Sequence, residues 1–206
     1  MLPRRQKLTR GHHAALPFAE LPLFVRELAR RTSIAARALQ FIILTGARVG
    51  EALGARWGEF DLHSALWTVP AQRMKAAREH RVPLSPPALS ILKEMQTLRR
   101  SDGADGLVFP GAREGRPLSG MSTAMLLRRM GRSDLTTHGF RSSLRDWTAE
   151  CTNFPREIAE AALAHRVGDA VERAYRRGDA LEKRRVLMKE WGEFLYSASA
   201  LTLVAA

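Results

Sequence analysis

The apolar pattern changes period twice along the chain, and this double switch restricts the folds open to it. Over residues 18–54 apolar residues recur at helical spacing. Over residues 57–61, 66–69 and 81–84 they fall into short segments rich in aromatic and β-branched types, separated by turn residues. From residue 85 onward helical spacing returns. The expectation is a mainly α protein with a small three-stranded antiparallel β-sheet. At 206 residues the chain is one domain or a tight pair. Apolar residues at 45% and charged residues at 26% exclude a wholly disordered or fibrous chain.

The helical blocks have legible ends. Residues 18–31 carry Leu21, Leu23, Phe24, Val25 and Leu28. Ser33 is placed to cap a helix running to Leu44, with Ile34, Ala38, Phe41 and Ile42 on one face, and Gly46 stands where it would stop. A short helix over 48–54 follows, and 72–79 reads as a long basic hairpin loop. Ser85-Pro86-Pro87 opens a helix whose buried stripe is Ala88, Ile91, Leu92, Met95 and Leu98. Residues 101–118 are loop-rich, with Val108-Phe109 a short extended piece. Further helices are expected near 119–130, 138–151, 155–164, 169–178 and 180–198. Asp179 and Glu182 have capping-box spacing before the last, whose stripe is Leu187, Trp191, Phe194 and Leu195. Residues 1–16 read as a basic linker or arm, 17–200 as the folded domain and 201–206 as a tail.

Charge points to a polyanionic partner. Lys and Arg number 33 against 21 Asp and Glu, a net charge of +12. Five are Lys, leaving 28 Arg, the residue suited to bidentate phosphate contacts. A GC-rich genome explains much of the Arg:Lys ratio but not the net charge. Cys151, the single cysteine, excludes an internal disulfide and multi-cysteine zinc sites, and fits a reducing compartment. No apolar run reaches the roughly 18 residues of a membrane span. The basic start has no apolar stretch after it, unlike a secretory signal. His12-His13 lacks acidic or Cys neighbours, so a solvated linker is favoured over a metal site. P-loop, dinucleotide, zinc-protease and nucleophile-elbow motifs are missing, as is a two-metal carboxylate cluster. No cofactor and no metal are therefore expected.

The polar residues at helix ends remain. Arg48 follows the Thr45-Gly46-Ala47 turn and opens a helix, with Glu51 three residues on to hold it. Lys75 lies in the hairpin loop with Arg73 and Arg78. His138 and Arg141 share a helix face that Arg145 extends, opposite Phe140, Leu144 and Trp147. His165 ends Leu163-Ala164-His165, and Tyr175 follows ten residues later. Taken singly, each has a plainer reading: a basic solvent face, a buried histidine, a core aromatic, a solvated loop lysine.

In order, Arg48, Lys75, His138-x-x-Arg141, His165 and Tyr175 resemble the signature of the tyrosine recombinases, the phage integrase family. Residues 12–198 carry the likeness, and the run from Ala174 to Asp179 with Met188-Lys189-Glu190-Trp191 is similar to integrases of satellite phages and genomic islands. The resemblance implies the recombinase catalytic-domain fold and site-specific DNA breaking and rejoining in integration or excision of a mobile element. It implies Tyr175 as nucleophile, giving a 3′-phosphotyrosyl link, and Arg48 and Arg141 as phosphate clamps. It implies His138 and His165 as hydrogen-bond or proton-transfer groups, Lys75 as general acid and Glu51 as a support. DNA contacts are expected from Arg73, Arg78, Arg145 and Arg176. Double-stranded DNA is the implied partner, with self-association on DNA through the C-terminal helix and no membrane. The implied setting is a bacterial or phage protein in the cytoplasm, at the nucleoid. Met1 falls about where family members have their interdomain linker, so a catalytic domain without the core-binding domain is expected. Ala164 stands where many relatives have Gly. The alternatives are a non-catalytic DNA-binding remnant and a type IB topoisomerase-like enzyme that only relaxes strands.

Overall fold

A computed structural model describes residues 15–99, 103–165 and 179–197. After a single 3-10 turn at Phe18–Glu20 come α1 (Leu21–Ala29), α2 (Ile34–Thr45) and α3 (Val49–Leu53). The sheet follows as β1 (Phe60–Asp61), β2 (Leu66–Val69) and β3 (His80–Pro83). Then come α4 (Pro86–Thr97), α5 (Met121–Arg129), α6 (Gly139–Cys151), α7 (Arg156–Ala162) and α8 (Leu181–Tyr196). The structure is thus mainly α with one antiparallel sheet in the order β1-β2-β3. The helix expected over 169–178 lies outside the described residues.

Helix α2 is the centre of the molecule. Nine of its twelve residues, from Ala36 and Ala38 through Thr45, are buried, as a helix apolar on nearly every face must be. It touches α1, α3, α4, α5, α6 and α8. Ser33 Oγ caps it by accepting from the Ala36 amide, and Gly46 ends it at φ +63°. A Cβ on Gly46 would stand 2.9 Å from Leu144 and 3.0 Å from Leu163, so backbone angle and packing both demand glycine.

The sheet covers one end of this core. Phe60 pairs with Trp67 across β1 and β2 and stacks on it at 5.4 Å between ring centroids. Trp67 in turn packs on Phe41 of α2, and its indole N–H donates to Glu59 at 2.9 Å. The segment at 57–59 is a 3-10 turn rather than strand, because Trp57 and Gly58 bond back to the carbonyls of Gly106 and Ala104. The third strand begins at His80, one residue earlier than its apolar pattern indicates, because backbone pairing rather than side-chain type sets its limits.

Helix α8 packs on its own chain. Trp191 is fully buried and donates its indole N–H to the Ile43 carbonyl at 2.9 Å. Phe194 stacks on Trp147 and meets Phe18. The stripe that could have docked on a neighbouring protomer is therefore occupied within the molecule. The expected Asp179–Glu182 capping box does not form. Ala180, at φ +53°, takes the cap position without a side-chain bond. Asp179 instead receives a bidentate pair from Arg81 (2.9 and 2.7 Å) and a bond from buried Arg184 (2.7 Å). Arg184 also donates to the Arg81 carbonyl at 2.6 Å, which ties the start of α8 to β3. Leu98, expected in the stripe of α4, is 46% exposed because the helix ends at Thr97 and the chain turns away.

Helix α7 closes in a Schellman turn. The His165 amide bonds the Glu160 carbonyl at 2.8 Å and the Ala164 amide bonds Ala161 at 3.2 Å. Ala164 sits at φ +51°, the left-handed conformation that glycine adopts more readily.

Two stability changes follow. Trp191→Ala removes a fully buried indole at the junction of α2, α6 and α8, and is expected to lower unfolding free energy by about 3–5 kcal/mol in urea titration. Ala164→Gly relieves the left-handed alanine, and should raise stability by up to about 1 kcal/mol after the entropy of the freer unfolded chain is counted. A loss of stability in that variant would contradict the strain.

Candidate active site

Two chain turns converge on Arg141. It lies in the first turn of α6 and is 4% exposed. Its Nη1 donates to the carbonyl of Gly46, the C-cap of α2. Its Nη2 donates to the carbonyl of Leu163, the C-cap of α7, at 2.6 Å. Both helices thus turn their negative ends toward one guanidinium. Burial first, and the Arg48 charge second, push Arg141 down to about 10. Its Nε is buried with no hydrogen-bond partner among the described residues.

Arg48 stands beside it as the N-cap residue of α3. Its backbone amide donates to Glu51 Oε2 at 2.9 Å and its Nη1 to Glu51 Oε1 at 2.7 Å. Glu51 is buried, so the pair is sheltered from solvent on the carboxylate side. Arg48 Nη2 reaches the Ala164 carbonyl at 3.4 Å. The spacing of Arg48 and Glu51 is therefore a working helix-start device that aims the guanidinium across the turn after α7.

His165 completes the cluster. Its Nε2 lies 3.0 Å from Arg141 Nη2 and its Nδ1 lies 2.6 Å from Glu160 Oε2. Glu160 is 7% exposed. Arg48 thus bonds Glu51 and the Ala164 carbonyl, and Arg141 bonds His165, so the two pairs meet at the turn after α7 although Arg48 and His165 are 117 positions apart in sequence.

The other expected residues are placed differently. Lys75 and Arg78 are exposed on the loop between β2 and β3. Arg73, expected at the DNA surface, is turned inward: it donates to Glu59 and to the Glu51 carbonyl, bracing α3. His138 is exposed at the N-cap of α6. The plainer reading of Arg141, a cation on a basic solvent face, does not hold: the guanidinium is buried because the two helix ends draw it inward, while His138 stays exposed. Arg145 does stay at the surface, 3.9 Å from Asp146. Tyr175 and Arg176 lie outside the described residues.

Two contributors had no signal in the sequence. Glu160 has no periodic relation to His165; only the Schellman turn brings it there. His80, at the base of the Lys75 loop, donates Nε2–H to the Ala162 carbonyl at 3.3 Å and so joins the loop to the end of α7. Burial first, and the Arg184 charge second, push His80 down to about 4. Among the described residues no group of three or more His, Cys, Asp or Glu could hold a metal ion, and no helix is long and apolar enough to cross a membrane.

The low value for His80 has a consequence for pH. An unfolded histidine takes its proton near pH 6.5, the folded one only near 4. Stability is therefore intact above pH 6.5 and falls as pH drops toward 4. The expected loss at pH 4.5 is about 2 kcal/mol from this group. His80→Gln, which keeps the donor to Ala162, should flatten that part of the stability–pH profile measured by urea unfolding. An unchanged slope would remove His80 as its cause.

Comparison with known proteins identifies the family of the chain. The phage integrase family matches residues 16–182. The prophage integrase IntA of Escherichia coli K12 is 38% identical over 164 residues, covering 79% of this chain and 39% of that protein. IntZ of the same strain is 33% identical over 192 residues, covering 92% of this chain and 47% of its own length. The integrase of Enterobacteria phage P4 is 32% identical over 203 residues, covering 89% and 46%. The chain thus spans less than half the length of these relatives. Among solved structures, the integrase from mycobacterium phage Brujita has a TM-score of 0.61 at 17% identity, covering 91% of this chain and 59% of that one. XerA recombinase has a TM-score of 0.60 at 15% identity, covering 97% and 65%. With the family match running across most of the described fold and through Arg48, Arg141 and His165, the chain belongs to the phage integrase family of tyrosine recombinases.

Proposed function

We propose that the chain cleaves and rejoins double-stranded DNA through a covalent phosphotyrosyl intermediate, as the catalytic part of a site-specific integrase. The observation that carries this reading is Arg141, a buried cation with a spare N–H, set beside a second, partly exposed arginine. Such a pair is built for an oxyanion. Charge grows on the nonbridging oxygens of a phosphodiester under attack, and fixed cations stabilise it without a metal.

In this mechanism the Tyr175 hydroxyl attacks phosphorus. The Tyr O–P bond forms and the P–O5′ bond breaks. The phenol proton passes to a histidine, His165 or His138, because a phenol with a pKa of about 10 needs a base near neutrality. Lys75 protonates the departing 5′-oxygen from its exposed loop. Arg48 and Arg141 hold the phosphate, with Glu51 keeping Arg48 in place. Arg78, Arg145 and Arg176 contact the DNA backbone. The phosphotyrosyl bond keeps the energy of the diester, so a 5′-hydroxyl from a partner strand reverses the step and no ATP is consumed.

Nicked, end-labelled duplexes carrying candidate attachment sequences test this. A protein–DNA adduct on denaturing gels is expected for the wild type and for Tyr196→Phe, and its loss for Tyr175→Phe. Binding should weaken steeply with salt. Salt-sensitive binding with no adduct would favour a DNA-binding remnant. Relaxation of supercoils without strand exchange would favour a topoisomerase-like activity.

A further inference from the structure

We infer that Glu160 is a positioning residue that fixes the tautomer of His165 for phosphate chemistry, an inference that rests on the function proposed above. Two contacts of the imidazole require the same proton placement. Arginine has no acceptor, so Arg141 Nη2, 3.0 Å away, must donate to Nε2. Nε2 therefore carries a lone pair and not a proton. The remaining proton sits on Nδ1 and points at Glu160 Oε2, 2.6 Å away. A carboxylate only accepts, and it favours that tautomer.

The backbone fixes the same arrangement. The His165 amide donates to the Glu160 carbonyl at 2.8 Å, so residue 160 holds residue 165 through both main chain and side chain. The turn with Ala164 at φ +51° sets the ring over its carboxylate. The carboxylate is almost fully buried, and its other oxygen is 3.8 Å from the exposed Arg156, a weak competitor. Among the described residues Glu160 therefore has little else to bind.

The functional result is directional. Nε2 faces the buried guanidinium and hence the place a phosphate would take. An anion that draws Arg141 Nη2 away releases the Nε2 lone pair. Nε2 then accepts the proton of an attacking hydroxyl and becomes an imidazolium, whose Nδ1–H stays bonded to Glu160. With the opposite tautomer, Nε2–H would face an arginine N–H, and the ring could not act as base from that side.

The test begins on the free, uniformly 15N-labelled protein. Long-range 1H–15N correlation of the imidazoles, with His165→Gln to assign the signal, reads the tautomer directly. The wild type is expected to show Nδ1–H, and Glu160→Ala to shift His165 toward Nε2–H. Adduct formation on nicked duplex should slow about tenfold or more in Glu160→Ala, with DNA affinity unchanged. Glu160→Gln, which keeps a carbonyl acceptor but no charge, should fall between. A wild-type Nε2–H tautomer, or a Glu160→Ala protein with unaltered tautomer or rate, overturns the inference. If Glu160→Ala does not fold, the wild-type tautomer and the Gln variant decide it. If the wild type forms no adduct, the recombinase reading fails, while the tautomer still judges Glu160.

Discussion

Placing the Arg141 guanidinium inside the protein is the constraint from which the site derives. A bare cation there would be costly, and the chain offsets that cost with the carbonyls at the ends of α2 and α7. Each carbonyl belongs to a turn that leads into another site residue. The Gly46 turn leads to Arg48, and the Leu163 turn leads to His165. One buried cation therefore sets the relative positions of three segments distant in sequence.

The acidic residues of the site refine this arrangement without cancelling it. Glu51 holds Arg48 and Glu160 holds His165, both carboxylates buried, and Glu160 takes the ring nitrogen of His165 opposite the one that faces Arg141. They fix geometry while leaving the Arg141 Nε without a partner among the described residues. The sheet has a related supporting role. Arg73 and His80 join its loop to α3 and α7, so the exposed loop that carries Lys75 has a firmly held base. The Arg81–Asp179–Arg184 cluster anchors α8 to the same strand.

Much of this is legible in the sequence. Ser33 and Gly46 marked the ends of α2 because caps depend on local backbone geometry. The two-period switch located the sheet, and the Arg48–Glu51 spacing announced a helix start. The misreadings arose where distant partners outweigh local preference. Asp179 looked like a cap but found two arginines instead. Arg73 reads as a DNA-facing cation but is drawn inward by a carboxylate and a carbonyl. Leu98 had the right period but sat past the helix end.

The sequence by itself determined which segments are helices or strands, which faces are apolar, and the set of polar residues that resembles a recombinase signature. These are local matters: rotamers, caps, turn glycines and side-chain period act over a few residues. Only the tertiary structure decided that Arg141 is buried between two helix ends, that Glu160 stands behind His165, and that the stripe of α8 is covered by its own chain. Those outcomes depend on desolvation and on partners up to 176 residues away, as for Phe194 and Phe18, and no local pattern encodes them.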